Sequence, residues 1–174
     1  MRTRVTAAAL GAILVLALAG CTTPEQPEPT PTPAFSSEEE AFAAAEATYR
    51  AYVDALNQVD LSDPETFEAV YELTTGEANA NERKSLSQMH ADGWTVAGDT
   101  GIKAFLGDSY SGETLQAVVC SDVAAVEVLD ANGHSVVSAD RPDVYALEVI
   151  FQMSPTTTSF VISQSTAVED ERCA

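Results

Sequence analysis

Few side chains in this sequence could move a proton near neutral pH. His90 and Asp92 stand beside Trp94 in the stretch His90-Ala-Asp92-Gly93-Trp94. A histidine with a carboxylate nearby can act as a general acid or base. The same histidine in the last turn of a helix would complement the negative end of the helix dipole, which accounts for it without catalysis. Glu148 is the other candidate, because it interrupts the apolar run Val144 to Met153. There Val144, Ala146, Glu148, Ile150 and Gln152 alternate with Tyr145, Leu147, Val149, Phe151 and Met153. The second set is more apolar and is expected to face the core, so Glu148 should point outward. A one-residue slip would turn it inward as a general base. Tyr49, Tyr52 and Tyr71 could supply hydroxyls from helices. No Gly-x-Ser-x-Gly elbow is present, and Gly98-Asp-Thr-Gly101 lacks the lysine and spacing of a phosphate loop. In a calcium-loop register, Asp130-Ala-Asn-Gly133 would put Val128 and Ala139 at the two key carboxylate positions, so it reads as a hairpin turn. The expectation is therefore no catalytic residue, no metal and no cofactor.

At the N-terminus, Arg2 and Arg4 precede an apolar run from Val5 to Gly20 that is broken only by Thr6. A charged start, an apolar middle and small residues at the end make a secretory signal, residues 1–20. The run has 16 residues, short of the roughly 20 that a spanning helix needs. Leu18-Ala19-Gly20-Cys21 resembles the bacterial lipobox in all four positions. That resemblance implies cleavage before Cys21 and a diacylglycerol thioether on its sulfur, with fatty acids such as palmitate holding the chain to the outer face of a membrane. An ordinary signal peptide or an uncleaved anchor are the competing readings. With Cys21 assigned to lipid, Cys120 and Cys173 remain as an even pair in a compartment where disulfides persist. Two cysteines alone do not make a four-ligand zinc site, and only His90 and His134 could assist. A Cys120–Cys173 disulfide is expected.

Removing Arg2 and Arg4 with the signal leaves six basic residues against 27 acidic ones, a net charge of −21. Such a surface repels nucleic acid phosphates and anionic headgroups. It serves solubility or an acidic docking patch. Five of the eight prolines lie between Thr22 and Ala34. Extended at about 3.1 Å per residue, these thirteen residues, the bulk of a tether at 21–35 that begins with the lipidated cysteine, could hold the rest up to roughly 40 Å from the lipid.

From Ser36 to Ala174 the pattern is that of one globular domain. Ser36-x-x-Glu39 and Ser37-x-x-Glu40 both fit a capping box. Phe42, Ala45, Tyr49, Tyr52, Val53 and Leu56 then recur at helical steps. A second helix is predicted from Asp63-Pro64, with Phe67, Val70 and Tyr71 inward and Gly76 as its stop. A third runs from Glu77 to Ala91, with Leu86 and Met89 inward and Gly93 ending it. Strands follow at Trp94–Ala97 and Ile102–Leu106. Thr114–Leu129 is predicted as one long strand, or two with a bend near Ser121. His134–Ser138 returns from the Asp130 turn, Val144–Met153 follows, and Thr158–Val168 comes last after a turn around Pro155.

The fold class is α+β, with N-terminal helices packed on a strongly bent antiparallel sheet. This order resembles the nuclear transport factor 2-like (SnoaL-like) cone fold, shared by steroid isomerases, cyclases and non-catalytic modules. A helix-plus-sheet sandwich would use the same elements. The cysteine before Asp122, the Asp130 turn and the C-terminal cysteine also resemble small lipoproteins of high-GC Gram-positive bacteria. The cone resemblance implies either a binding or accessory module of the cell envelope, taking an envelope protein or a small apolar ligand, or an isomerase- or dehydratase-like enzyme with an acid–base pair in the cone. In the first case Phe42, Tyr49, Tyr52, Phe67 and Tyr71 would pack against Phe151 and Phe160 as the cone's walls. Mass spectrometry of the membrane-extracted protein is expected to find residues 21–174 carrying a diacylglycerol. Soluble wild-type protein with a free Cys21 thiol would refute this.

Overall fold

The computed structural model describes residues 35–155 and 159–174. The predicted signal, Cys21 and the proline-rich stretch to residue 34 lie outside the described residues.

The first helix, α1 (Glu38–Leu56), starts where its orphan N–H groups find acceptors. Ser37 Oγ accepts from Glu40 N at 3.1 Å. The Glu40 carboxylate reaches back to Ser36, accepting from its N–H at 2.8 Å and its hydroxyl at 2.5 Å. Of the two overlapping boxes, the structure thus uses Ser37 as cap and spends Glu40 one residue further out than a standard box does. Along α1, Ala41, Ala45, Thr48, Tyr49 and Val53 are buried. The small side chains let the helix lie close to the sheet. Phe42 covers Gly107, where an added Cβ would stand 2.4 Å from the Phe42 ring.

The second helix differs from its prediction. A 3-10 turn, Pro64–Phe67, leads into a short α2 (Glu68–Glu72), and helix ends before Gly76. Leu73–Thr75 instead pair with a strand, the Leu73 carbonyl accepting from Ile162 N at 2.9 Å and Thr75 N donating to the Ile162 carbonyl at 2.8 Å. Those two bonds satisfy backbone groups that a longer helix would have used internally. Gly76, at φ +52, therefore opens α3 (Gly76–Ala91) instead of closing α2.

Four strands make the main sheet in the order β2-β3-β5-β6, antiparallel throughout: β2 (Gly101–Tyr110), β3 (Thr114–Asp122), β5 (Val144–Met153) and β6 (Phe160–Val168). Register shifts between Ile102 and Ala104, Gly107 and Ser109, and Ile150 and Phe151 bend it. Of the two forms predicted for Thr114–Leu129 the structure takes the second, two strands with the break at Asp122, next to Ser121. Beyond a loop held by Arg141, which donates to the carbonyls of Val123 and Val126, the chain enters a separate two-stranded ribbon. That ribbon pairs β1 (Thr95–Ala97) with β4 (Glu127–Leu129). Gly98 permits the crossing, since a Cβ there would meet the Ala125 carbonyl at 1.9 Å. Residues His134–Ser138 do not form the predicted return strand. They lie along the free edge of β4, contributing one bridge, Leu129 to Ser135, and a bond from Val136 N to the Val128 carbonyl at 3.0 Å.

The interior has two parts. Ala41, Ala45, Tyr49 and Val53 pack on Leu115, Ala117, Val119, Val149, Phe151, Phe160 and Ile162 from the concave face of the sheet. Phe67 and Tyr71 do not join that wall. With Ala55, Leu61, Val70 and Leu86 they form a second core between helices. On the convex face, Cys120 and Ala146 are buried, and a C-terminal 3-10 turn, Glu171–Cys173, contacts β3 and β5. Cys120 and Cys173 form a disulfide. Arg172 adds an ion pair to Asp108 on β2 at 3.0 Å and one to Asp170 at 2.6 Å.

The disulfide closes a span of 53 residues, for which the chain-entropy model gives about 4 kcal/mol as an upper figure. Thermal denaturation should show Cys120→Ala and Cys173→Ala lowering Tm by similar amounts, and the double variant little further. Near-additive losses would mean that each cysteine acts separately, not as a bond.

Candidate functional site

His90 sits in the last turn of α3. Its Nδ1 lies 2.6 Å from the Leu61 carbonyl, to which it donates, and its ring meets Phe67 edge-on at 6.4 Å. The imidazole thus fastens the end of α3 to the connection after α1. Asp92 accepts from Gln88 at 2.8 Å on the surface, and Trp94 packs at the margin of the second core. His90 and Trp94 line one open cavity of about 570 Å³ with Asp60 and Ser62, while Asp92 stands outside it, so the three predicted neighbours do not converge.

Glu148 lies on the convex face. Its neighbours Leu147 and Val149 belong to the concave core, and its carboxylate accepts from Gln116 Nε2 at 2.7 Å. Tyr71 is engaged elsewhere, with the Arg83 guanidinium 3.9 Å from its ring centroid.

An acid–phenol pair does exist, at residues the sequence reading passed over. Tyr52 on α1 donates to Glu82 Oε1 on α3 at 2.6 Å. Both side chains line a cavity of about 130 Å³ together with Tyr49, Thr74, Ala78, Asn81, Ile162 and Ser165. Burial raises the Glu82 carboxyl above its ordinary range, partly offset by the Tyr52 hydrogen bond. Burial and then the Glu82 charge push the Tyr52 phenol well up. Tyr49 is raised for the same two reasons in the same order, while a hydrogen bond with Ser121 opposes them. Glu82 escaped notice because Glu77–Ser87 is so polar that it reads as a solvated face. The available signal was the spacing of Ala78, Glu82 and Leu86. Residues four apart share a helix face, and Ala78 and Leu86 are both buried.

A second cavity, about 310 Å³, opens between the helices and the β1–β4 ribbon. Leu56, Val59, Leu61, Leu86, Met89 and Val128 make it mostly apolar. Asn57 stands at its edge but is spent on the backbone, donating to the Thr100 carbonyl at 3.0 Å and accepting from Thr100 N at 2.9 Å. Among the described residues no group of three or more His, Cys, Asp or Glu could hold a metal ion. The Asp130 carboxylate accepts from the N–H groups of Asn132 and His134 and so stabilises its turn. No helix among the described residues is long and apolar enough to cross a membrane.

The fold is that of the nuclear transport factor 2-like cone proteins. A candidate aromatic ring hydroxylase from Novosphingobium aromaticivorans superposes with a TM-score of 0.51 at 14% identity, over 74% of this chain and 88% of its own. The intermembrane-space region of the chloroplast protein ARC6 gives 0.51 at 14% identity, over 74% and 96%. A candidate dehydratase of the NTF2-like family from Streptomyces avermitilis gives 0.48 at 12% identity, over 75% and 96%. At these identities the likeness is one of fold. No family model matches the chain, and no curated protein sequence does.

Glu82 also sets a pH dependence. A carboxyl whose pKa is raised on folding stabilises most below its unfolded value of 4.5 and loses that contribution as pH rises through its folded value. Urea unfolding from about pH 4 to about pH 8 should therefore show wild-type stability falling with pH more steeply than that of Glu82→Gln. Parallel curves would mean that the carboxyl titrates normally.

Proposed function

We propose that this chain is a small lipoprotein of the kind made by high-GC Gram-positive bacteria, lipidated at Cys21 and displayed on the extracytoplasmic face of the cell membrane, where its cone domain binds a small apolar ligand without transforming it. The anchoring part rests on the sequence of Leu18–Cys21 and the proline tether that follows. The binding part rests on one observation: the 310 Å³ cavity has mostly apolar walls, Asn57 and Thr100 in its lining are paired with each other, and Asp99 is its one carboxylate, with no acid or base beside it in the lining. Ligand pockets of roughly 300–1,000 Å³ are mostly apolar with a few orienting polar groups, and this cavity falls at the small end of that range. Acid–base chemistry would need a convergent pair facing the ligand. Glu82 and Tyr52 form such a pair, but in the other cavity, at 130 Å³ too small for a fused-ring substrate.

An environment-sensitive apolar dye tests the reading. Wild-type protein should bind it saturably. Val96→Trp, at a position that lines the cavity and is 45% exposed, should weaken binding about tenfold, or about 1.4 kcal/mol, with Tm unchanged. Absence of saturable binding would refute the ligand site. Turnover of a small cyclic ketone that disappears in Glu82→Gln would refute the non-catalytic reading.

A further inference from the structure

We propose that the Glu82–Tyr52 cavity is a second, separate binding site, one that takes a small aliphatic primary ammonium ion. Only one oxygen of Glu82 is occupied, Oε1 by the Tyr52 hydroxyl. Among the described residues nothing donates to Oε2, and no Lys, Arg or His lies within ion-pair distance of the carboxylate. The adjacent cation, Arg83, is turned away, stacked over Tyr71 and hydrogen-bonded to Asn79 Oδ1 at 2.9 Å. A half-buried carboxylate without a counter-charge is costly, and a cation bound beside it would remove that cost.

The walls fit this ligand class. An ammonium group has three donors and no acceptor. Glu82 Oε2 supplies a charged acceptor, and Asn81 and Ser165, which are exposed and line the same cavity, supply a carbonyl and a hydroxyl oxygen. Ala78, Ile162 and the rings of Tyr49 and Tyr52 give a short alkyl chain apolar surface. Metal ions such as calcium require six to eight oxygens, more than one carboxylate and these neutral groups provide. A volume of about 130 Å³ holds an amine of a few carbons and excludes drug-sized molecules. The acidic balance of the chain, 27 acidic against eight basic residues, raises the local concentration of cations and lowers that of anions.

Titration of the whole protein with n-propylammonium chloride, followed by calorimetry and by NMR shifts of the tyrosine rings, tests the assignment. Saturable binding with perturbed Tyr49 and Tyr52 signals is expected, with sodium chloride at equal concentration giving neither. Glu82→Gln should weaken binding at least tenfold. Glu148→Gln, the same charge change on the convex face, should bind like wild type. Glu82→Asp retains the charge but withdraws it by one methylene, so it should weaken binding severalfold while melting cooperatively, which covers a failure of the glutamine variant to fold. No saturation by wild type, equal affinity in Glu82→Gln, or equal weakening by Glu148→Gln would overturn the proposal. Because the apolar dye reports on the other cavity, either site can fail without the other.

Discussion

The seating of α1 in the concave face of the sheet determines most of what else this molecule can be. Ala41 and Ala45 are fully buried, and Gly107 leaves room for the Phe42 ring where any side chain would collide with it. This close approach lets Phe151 and Phe160 pack edge-to-face, with centroids 6.3 Å apart, and Phe35 stack on Phe160 at 5.4 Å. Aromatic contacts of this kind add to area burial. The middle of the cone is consequently solid, and two of the spaces that remain lie where α1 parts from its neighbours. One such place is beside α3, where Tyr52 meets Glu82. The other is beyond Leu56, where the ribbon closes over the helices.

Those two spaces divide the chemistry of the interior. The larger has mostly apolar walls; of the polar residues that line it, Asn57 and Thr100 are clamped to each other and Asp99 is exposed. The smaller concentrates a carboxyl, two phenols, an amide and two hydroxyls around a narrow void. Here most of the apolar surface lines one cavity and the Glu82–Tyr52 pair lines the other. His90 and Glu148 stand apart from both cavities, one as a fastening for α3 and the other as a surface partner of Gln116.

Much of the fold was legible because local rules and tertiary packing agreed. Ser37 and Glu40 start α1 as capping chemistry requires, Leu86 and Met89 face inward, Gly93 takes positive φ after α3, and the alternation along β5 turns Glu148 outward. The misses arose where distant backbone groups decided the outcome. Leu73–Thr75 left the helix for a partner on β6, 87 to 89 residues away in the chain. His134–Ser138 did not become a strand and lie along the free edge of β4 with one bridge to Leu129. Phe67 and Tyr71 have the right periodicity for burial, but periodicity does not say against what, and they joined a helix–helix core. Glu82 shows the same limit for a site: its helix is polar enough to hide one inward-facing acid.

The terminal disulfide has a topological consequence. Joining Cys120 to Cys173 makes a closed covalent ring that contains β4, β5, β6 and the surface-exposed stretch 131–140, where only residue 137 is partly buried. A protease that severs one peptide bond in that stretch opens the ring without releasing a fragment. The two new ends stay tethered through β3, and the halves of the sheet remain at high effective concentration for each other. Such a nicked molecule has the mass of the intact chain plus one water, and it separates into two pieces only when the sulfur bridge is reduced.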